Sequence, residues 1–132
     1  MVRVGGGYSP IETLVVRGEI AAAAEAYRDR AQPADRVEAT VRRAALLAGP
    51  LGQAETALVE LEGLRRSRLT PAEDIRVGVA LVDLYDQRLG HAGHAMAELR
   101  RLIDRHPGAR ATQRLRRALA ELKSEHLDAE NG

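Results

Sequence analysis

An all-α fold is predicted for this 132-residue chain, and three features of the sequence predict it. Apolar residues recur in steps of three and four through most of the chain, the period of one helix face. The stretches between breaks are separated by Gly18, Pro33, Gly49-Pro50, Gly90 and Pro107-Gly108, residue types that interrupt helices. No run alternates apolar with polar residues, and no Asn-Gly or Asp-Gly pair stands between two such runs, so nothing marks a strand or hairpin. Ala, Leu, Arg and Glu dominate, all good helix formers.

Taken in order, the elements number seven. Residues 1–8 include three consecutive glycines and are expected to be flexible. Ser9-Pro10-Ile11-Glu12 reads as a helix start, with serine as cap, proline first and glutamate three residues after the cap. The helix over 10–17 ends at Gly18, and the next, over 19–31, carries Ile20, Ala23, Ala24, Tyr27 and Ala31 on one face. Asp35 with Glu38 forms a second capping pattern and opens a helix over 34–48 with Val37, Val41, Ala44 and Ala48 in a stripe. Gly49-Pro50 breaks it. The fourth helix uses Leu51, Ala54, Ala57, Leu58, Leu61 and Leu64, and Gly63 inside it costs about 1 kcal/mol against alanine.

Thr70-Pro71-Ala72-Glu73 is the strongest start signal in the chain. The helix it opens, over 71–89, is apolar on two faces: Ile75, Val79 and Val82 on one, Val77, Leu81 and Leu84 on the other. A helix with so broad an apolar surface is expected to have neighbours on more than one side, at the centre of the fold. After Gly90 come two more stripes, Ala92, Ala95, Met96, Leu99, Leu102 and Ile103, then Ala111, Leu115, Ala118, Leu119 and Leu122. Proline and glycine at 107–108 make the corner between them. Residues 126–132 are polar and expected to fray. A chain of this length forms one domain, over 9–125, that buries roughly two-thirds of its unfolded surface.

The balance of charge excludes some functions. Formal net charge is +1, so no global field draws the protein to nucleic acid or an anionic membrane. There is no cysteine, which removes disulfides, thiol catalysis and cysteine-ligated zinc. No apolar run approaches the roughly 20 residues that span a bilayer, and the opening residues lack the apolar centre of a secretory signal. These features lead to the expectation of a soluble, cytoplasmic protein with no direct membrane insertion.

A pattern recurs at the corners. Gly18 is followed by Ala23 and Tyr27, Gly49 by Ala54 and Leu58, Gly90 by Ala95 and Leu99. Glycine permits the corner, the small alanine lets two helices touch, and the larger residue one turn on fills the gap. The spacing from glycine to glycine is 31 and then 41 residues. With Leu84-Tyr85, Leu89-Gly90, Ala95, Leu99, Leu102 and Pro107 in the third unit, the chain resembles the tetratricopeptide repeat, a helix-turn-helix unit of about 34 residues. The resemblance covers about residues 9–125. It implies a right-handed solenoid of about three antiparallel hairpins plus a C-terminal capping helix, with the first helix of each hairpin lining a concave groove that holds a partner peptide or helix. The groove-facing polar residues it assigns are Arg43, Asp83, Asp86, Gln87, Arg110, Gln113 and Arg117. Family members that clamp a peptide's terminal carboxylate use asparagines and lysines, and here only Asn131 and Lys123 are of those types, which argues against that ligand.

Three further groups of residues have the chemistry of possible sites. His91 and His94 have a spacing that brings two imidazoles to one metal, but zinc needs three or four ligands and no others stand within a turn. No metal or cofactor is expected. Arg100, Arg101, Arg105, Arg110, Arg114, Arg116, Arg117 and Lys123 make the C-terminal third basic, with Arg110, Arg114 and Arg117 at helical spacing on one face. That face suits an acidic protein surface or is a solvated face of an arginine-biased chain, and no aromatic residue interleaves it to stack bases, so nucleic acid is not expected. Asp83 and Asp86 are paired carboxylates without a nucleophile, histidine or phosphate loop beside them, which points to lining or salt bridging rather than catalysis. No catalytic constellation is present and no enzyme activity is expected. The expected function is a protein-binding scaffold. The alternatives are self-association through an apolar edge at Leu14, Val15 and Val16, or service as a soluble domain of a bacterial envelope assembly protein.

Overall fold

The computed structural model describes residues 7–131, with side chains through Asp128. Seven α-helices run along it: α1 Ser9–Val16, α2 Ile20–Arg30, α3 Arg36–Ala48, α4 Ala54–Arg65, α5 Pro71–Asp83, α6 Ala92–Arg105 and α7 Thr112–Asn131. The all-α class and the helix count are as expected, and no strand occurs among the described residues. Of the segments expected to be flexible, residues 1–6 and 132 lie outside the described residues. Contacts divide the chain into two compact units, Met1–Leu64 and Arg65–Gly132.

In the first unit, Ile11, Ala23, Tyr27 and Ala39 from α1, α2 and α3 form a buried cluster, with Leu14, Val15 and Leu46 packed against it. Tyr8 belongs to this packing and not to a loose terminus. Its ring lies 5.7 Å from that of Tyr27, and the guanidiniums of Arg30 and Arg42 sit 4.7 and 4.4 Å from its centre. This arrangement explains why two of the three expected capping boxes do not form. Tyr8, not Ser9, caps α1, and Glu12 reaches across to Arg42 at 3.1 Å. At the start of α3 the Asp35 carboxylate is turned to Arg30 at 3.4 Å, while Glu38 accepts from Arg42 at 2.9 Å. Ion pairs to a stacked aromatic take the carboxylates that backbone amides would otherwise hold. The Thr70 box does form: Thr70 Oγ1 accepts from the Glu73 amide at 3.2 Å and Glu73 Oε1 from the Thr70 amide at 2.8 Å.

The second corner sits three residues later than the sequence pattern places it. Gly49 has φ −87°, and the left-handed glycines are Gly18, Gly52 and Gly90, with φ of 80°, 63° and 67°. Pro50 fixes its own φ and offers no amide, so the reversal waits for Gly52. In this register the residue five places on is an alanine with no exposed surface each time, Ala23, Ala57 and Ala95, and the residue nine places on is large and buried, Tyr27, Leu61 and Leu99. The spacing from Gly18 to Gly52 to Gly90 is 34 and then 38 residues, in place of 31 and 41.

In the second unit, α5 packs against α6, and α6 against α7. After α5 the backbone widens into a π-helical turn, Leu84–Arg88, whose last bond runs from the Leu89 amide to the Leu84 carbonyl at 3.0 Å. The α6–α7 corner occupies residues 106–111, longer than expected, because the Thr112 hydroxyl donates back to the His106 carbonyl and starts α7 there. At its other end α7 continues to Asn131. No helix breaker stands between Thr112 and Gly132 to end it sooner.

At Gly78, α5 lies close against α6. A Cβ there would lie 2.6 and 2.7 Å from the Leu102 methyls and 3.0 Å from a Glu98 carboxylate oxygen. Gly63, within α4, has open space around the same position. Gly63→Ala is therefore expected to raise stability by about 0.5–1 kcal/mol. Gly78→Ala is expected to lower it by about 1–2 kcal/mol despite the same gain in helix propensity. Urea unfolding followed by circular dichroism checks both.

Candidate functional site

Two features of the second unit are candidates, and both are built on α5. The first is a charge network on its α6-facing side. Asp74 and Glu98 are 8% and 4% exposed, an unusual depth for carboxylates. Arg101 serves both: it donates to the two Asp74 oxygens at 3.0 and 3.2 Å and to Glu98 at 2.8–3.3 Å. Arg65 adds a second guanidinium on Glu98. His106 Nε2 lies 2.7 Å from Asp74 Oδ2, and Arg105 stands at 3.9 Å from the same oxygen. Burial by itself favours the neutral acid at Asp74, but the hydrogen bonds and charges of Arg101 and His106 outweigh it and hold the carboxyl below its ordinary value.

The second feature is a groove of about 400 Å³ between α5 and α7, with Leu99 of α6 also in its lining. Ile75, Val79 and Val82 supply one wall, Ala111, Leu115 and Ala118 the other. These α5 residues are the second apolar face anticipated from the sequence. Val82 is buried, while Ile75 and Val79 remain half-exposed as groove wall. Three charged residues border the apolar surface: Arg76, Asp83 and Arg114. Burial pushes the Asp83 carboxyl above its ordinary range, the charge of Asp86 adds to the shift, and Arg76 opposes it.

Of the residues assigned to a partner surface, Asp83 and Arg114 come together on this groove. Asp86 is half-buried in the π turn and Gln87 is exposed there, neither among the residues lining the groove. Gln113 and Arg117 are exposed on α7, and Arg110 lies in the corner before it, so the three arginines do not form one helical stripe. Arg43 is 9% exposed. Its donors go to Glu60 at 2.9 Å, to the Ala24 carbonyl at 3.0 Å and to Glu25 at 3.1 Å, which joins α2, α3 and α4 within the first unit. The N-terminal apolar edge is reduced as well. Leu14 and Val15 pack into the core cluster, leaving Val16 exposed.

The network of Arg65, Asp74, Glu98, Arg101 and His106 was not anticipated. One local signal for it exists: Glu98 falls on the apolar stripe between Ala95 and Leu102, where a carboxylate has to find a cation. His91 and His94 stack on one another at 5.3 Å, and His94 stacks on Tyr85 at 5.3 Å. No group of three or more His, Asp or Glu residues suited to a metal occurs among the described residues, nor is any helix among them long and apolar enough to cross a membrane. The class these features define is an all-α protein of paired helices with an apolar groove beside a buried ion network. No protein-family model, curated protein or solved structure matches the chain.

Because the Asp74 carboxyl is held low in the folded state, its ionised form stabilises the fold at neutral pH. That contribution is lost as pH falls below the ordinary carboxyl value, near about 4, and on through the depressed folded value. Asp74→Asn is expected to be less stable than the parent at pH 7 and to flatten the fall in stability below about pH 4. Urea midpoints measured across this range test it. A parent and variant that lose stability in parallel would show the carboxylate has no such role.

Proposed function

We propose that this chain is a tetratricopeptide-like module that binds another protein, taking an amphipathic helix of the partner into the groove between α5 and α7. The observation that carries this reading is the groove's chemistry: an apolar floor and walls, bordered by the guanidiniums of Arg76 and Arg114 and the carboxylate of Asp83. Its volume lies within the range of specific ligand pockets, about 300–1,000 Å³, enough for the apolar anchors of one helix face rather than a whole domain. The repeat register supports the family reading. Left-handed glycines 34 and 38 residues apart, each followed by a buried alanine and then a large residue, match the small-then-large pattern of a 34-residue hairpin repeat.

Polarity along the groove orients the guest. α5 and α6 are antiparallel, since Asp74 meets His106 near one end and Tyr85 meets His94 near the other. With α7 returning along α6, Arg76 and Arg114 stand toward the start of α5 and Asp83 toward its end. A helix carrying apolar residues at i, i+3 or i+4, and i+7 fits the floor. An acidic residue then faces the arginines and a basic one faces Asp83, whose ionised form a cation favours.

Panning a displayed peptide library against the intact chain tests this reading. The expected outcome is enrichment of sequences with helical apolar spacing, acidic on one flank and basic on the other. Binding should be lost on Val79→Asp, and the acidic preference should invert on Arg114→Glu, with the fold of each variant checked by circular dichroism. Peptides that bind parent and both variants equally would overturn the groove as the site.

A further inference from the structure

The ion network opens on one side into a cavity of about 390 Å³, separate in its lining from the α5–α7 groove. Arg65, Arg101, Arg105 and His106 line it together with Asp74 and Thr70, and Leu69 and Pro71 form an apolar edge. Three guanidiniums meet here, and among the described residues two carboxylates, Asp74 and Glu98, answer them. Both carboxylates are already engaged from behind. Glu98 accepts from Arg65 and Arg101 and does not line the cavity. Asp74 does line it, but its oxygens accept from Arg101 and sit against His106 at 2.7 Å, so little of its charge is left to repel an anion.

The donors left over face the opening. Arg65 engages Glu98 through one terminal nitrogen, and its other nitrogens meet no acceptor among the described residues. Arg105 is 69% exposed along its side chain, and its one ion pair among the described residues is the 3.9 Å approach of Nε to Asp74. The Thr70 hydroxyl accepts from the Glu73 amide, which leaves its proton to donate. Two guanidinium forks with unfilled donors, held on a buried anionic base and flanked by a hydroxyl, match the shape and charge of a phosphate group.

We propose that this cavity binds a phosphate monoester, with Arg65 and Arg105 on the phosphate oxygens and Arg101 held as a fixed charge behind them. The cavity is larger than an inorganic phosphate needs. The apolar edge at Leu69 and Pro71 receives the organic substituent, so an ester is favoured over the free ion. Asp74 and Glu98 act as positioning residues that hold Arg101 in place.

The test uses the intact chain with inorganic phosphate and phenyl phosphate as separate probes, followed by calorimetry and by the arginine Nε resonances in NMR. The proposal expects phenyl phosphate to bind with a Kd of about 1 mM or tighter and to shift the Arg65 and Arg105 signals. Arg105→Gln, at an exposed position, should weaken binding about tenfold without changing the thermal midpoint, and added salt should weaken it further. Inorganic phosphate binding as tightly as the ester would overturn the role given to Leu69 and Pro71, and with it the preference for an ester. No binding of either probe at about 10 mM, shifts confined to other arginines, or an Arg105→Gln variant that binds like the parent would overturn it.

Discussion

The second unit depends on a carboxylate buried where the helices cross. Glu98 sits on the apolar stripe of α6, 4% exposed, between the buried Ala95 and Leu102. Removing such a charge from water costs several kcal/mol unless the site supplies cations with good geometry. Here Arg101 from the same helix and Arg65 from the end of α4 supply them. Gly78 is what permits this arrangement. Without a Cβ on that residue, α5 comes close enough for Leu102 and Glu98 to lie against its backbone. Asp74, one turn earlier on α5, then shares Arg101 and takes His106 as a second partner. The rotation of α5 is thereby set, and Ile75 and Val79 are left facing α7 as the groove wall.

A related device operates in the first unit. Arg43 is buried, with Glu60, Glu25 and the Ala24 carbonyl around it. Only 2% of the chain is aromatic, and its core is largely alanine and leucine. Such side chains pack closely but tolerate more than one register, whereas a guanidinium fork on a carboxylate defines a distance and a direction. The few aromatics are used in the same sense. Tyr8 is held between Arg30 and Arg42, and Tyr85 carries the stacked His94 at the π turn.

The helices were legible because their signals are local. The Thr70–Glu73 cap and the stripe from Ala92 to Ile103 are each made by residues spaced three or four apart or less, and both stand where the pattern placed them. The corner at Gly49 was misplaced because choosing between two glycines three residues apart requires knowing which one takes the left-handed conformation, and Pro50 decides that through its own backbone. The caps at Ser9 and Asp35 failed for a different reason: Arg42 takes Glu12 from 30 residues away, while Arg30 and Arg42 take Asp35 and Glu38. Of the residues that border the groove, Asp83 stands out in the sequence through the repeat resemblance and Arg114 through the basic face at helical spacing. Arg43 was not readable as a buried residue, because its partners come from two other helices. The Asp74–His106 contact joins residues 32 apart and leaves no local trace.

The claim at the centre is that Asp74 and Arg101 act as one unit that sets α5 against α6. A double-mutant cycle on stability tests it directly, using Asp74→Asn, Arg101→Gln and the pair, each followed by urea unfolding at neutral pH. A coupling free energy of about 1.5 kcal/mol or more between the two positions is expected. Additive effects, with coupling below about 0.5 kcal/mol, would mean that the two residues lie close together without holding the helices.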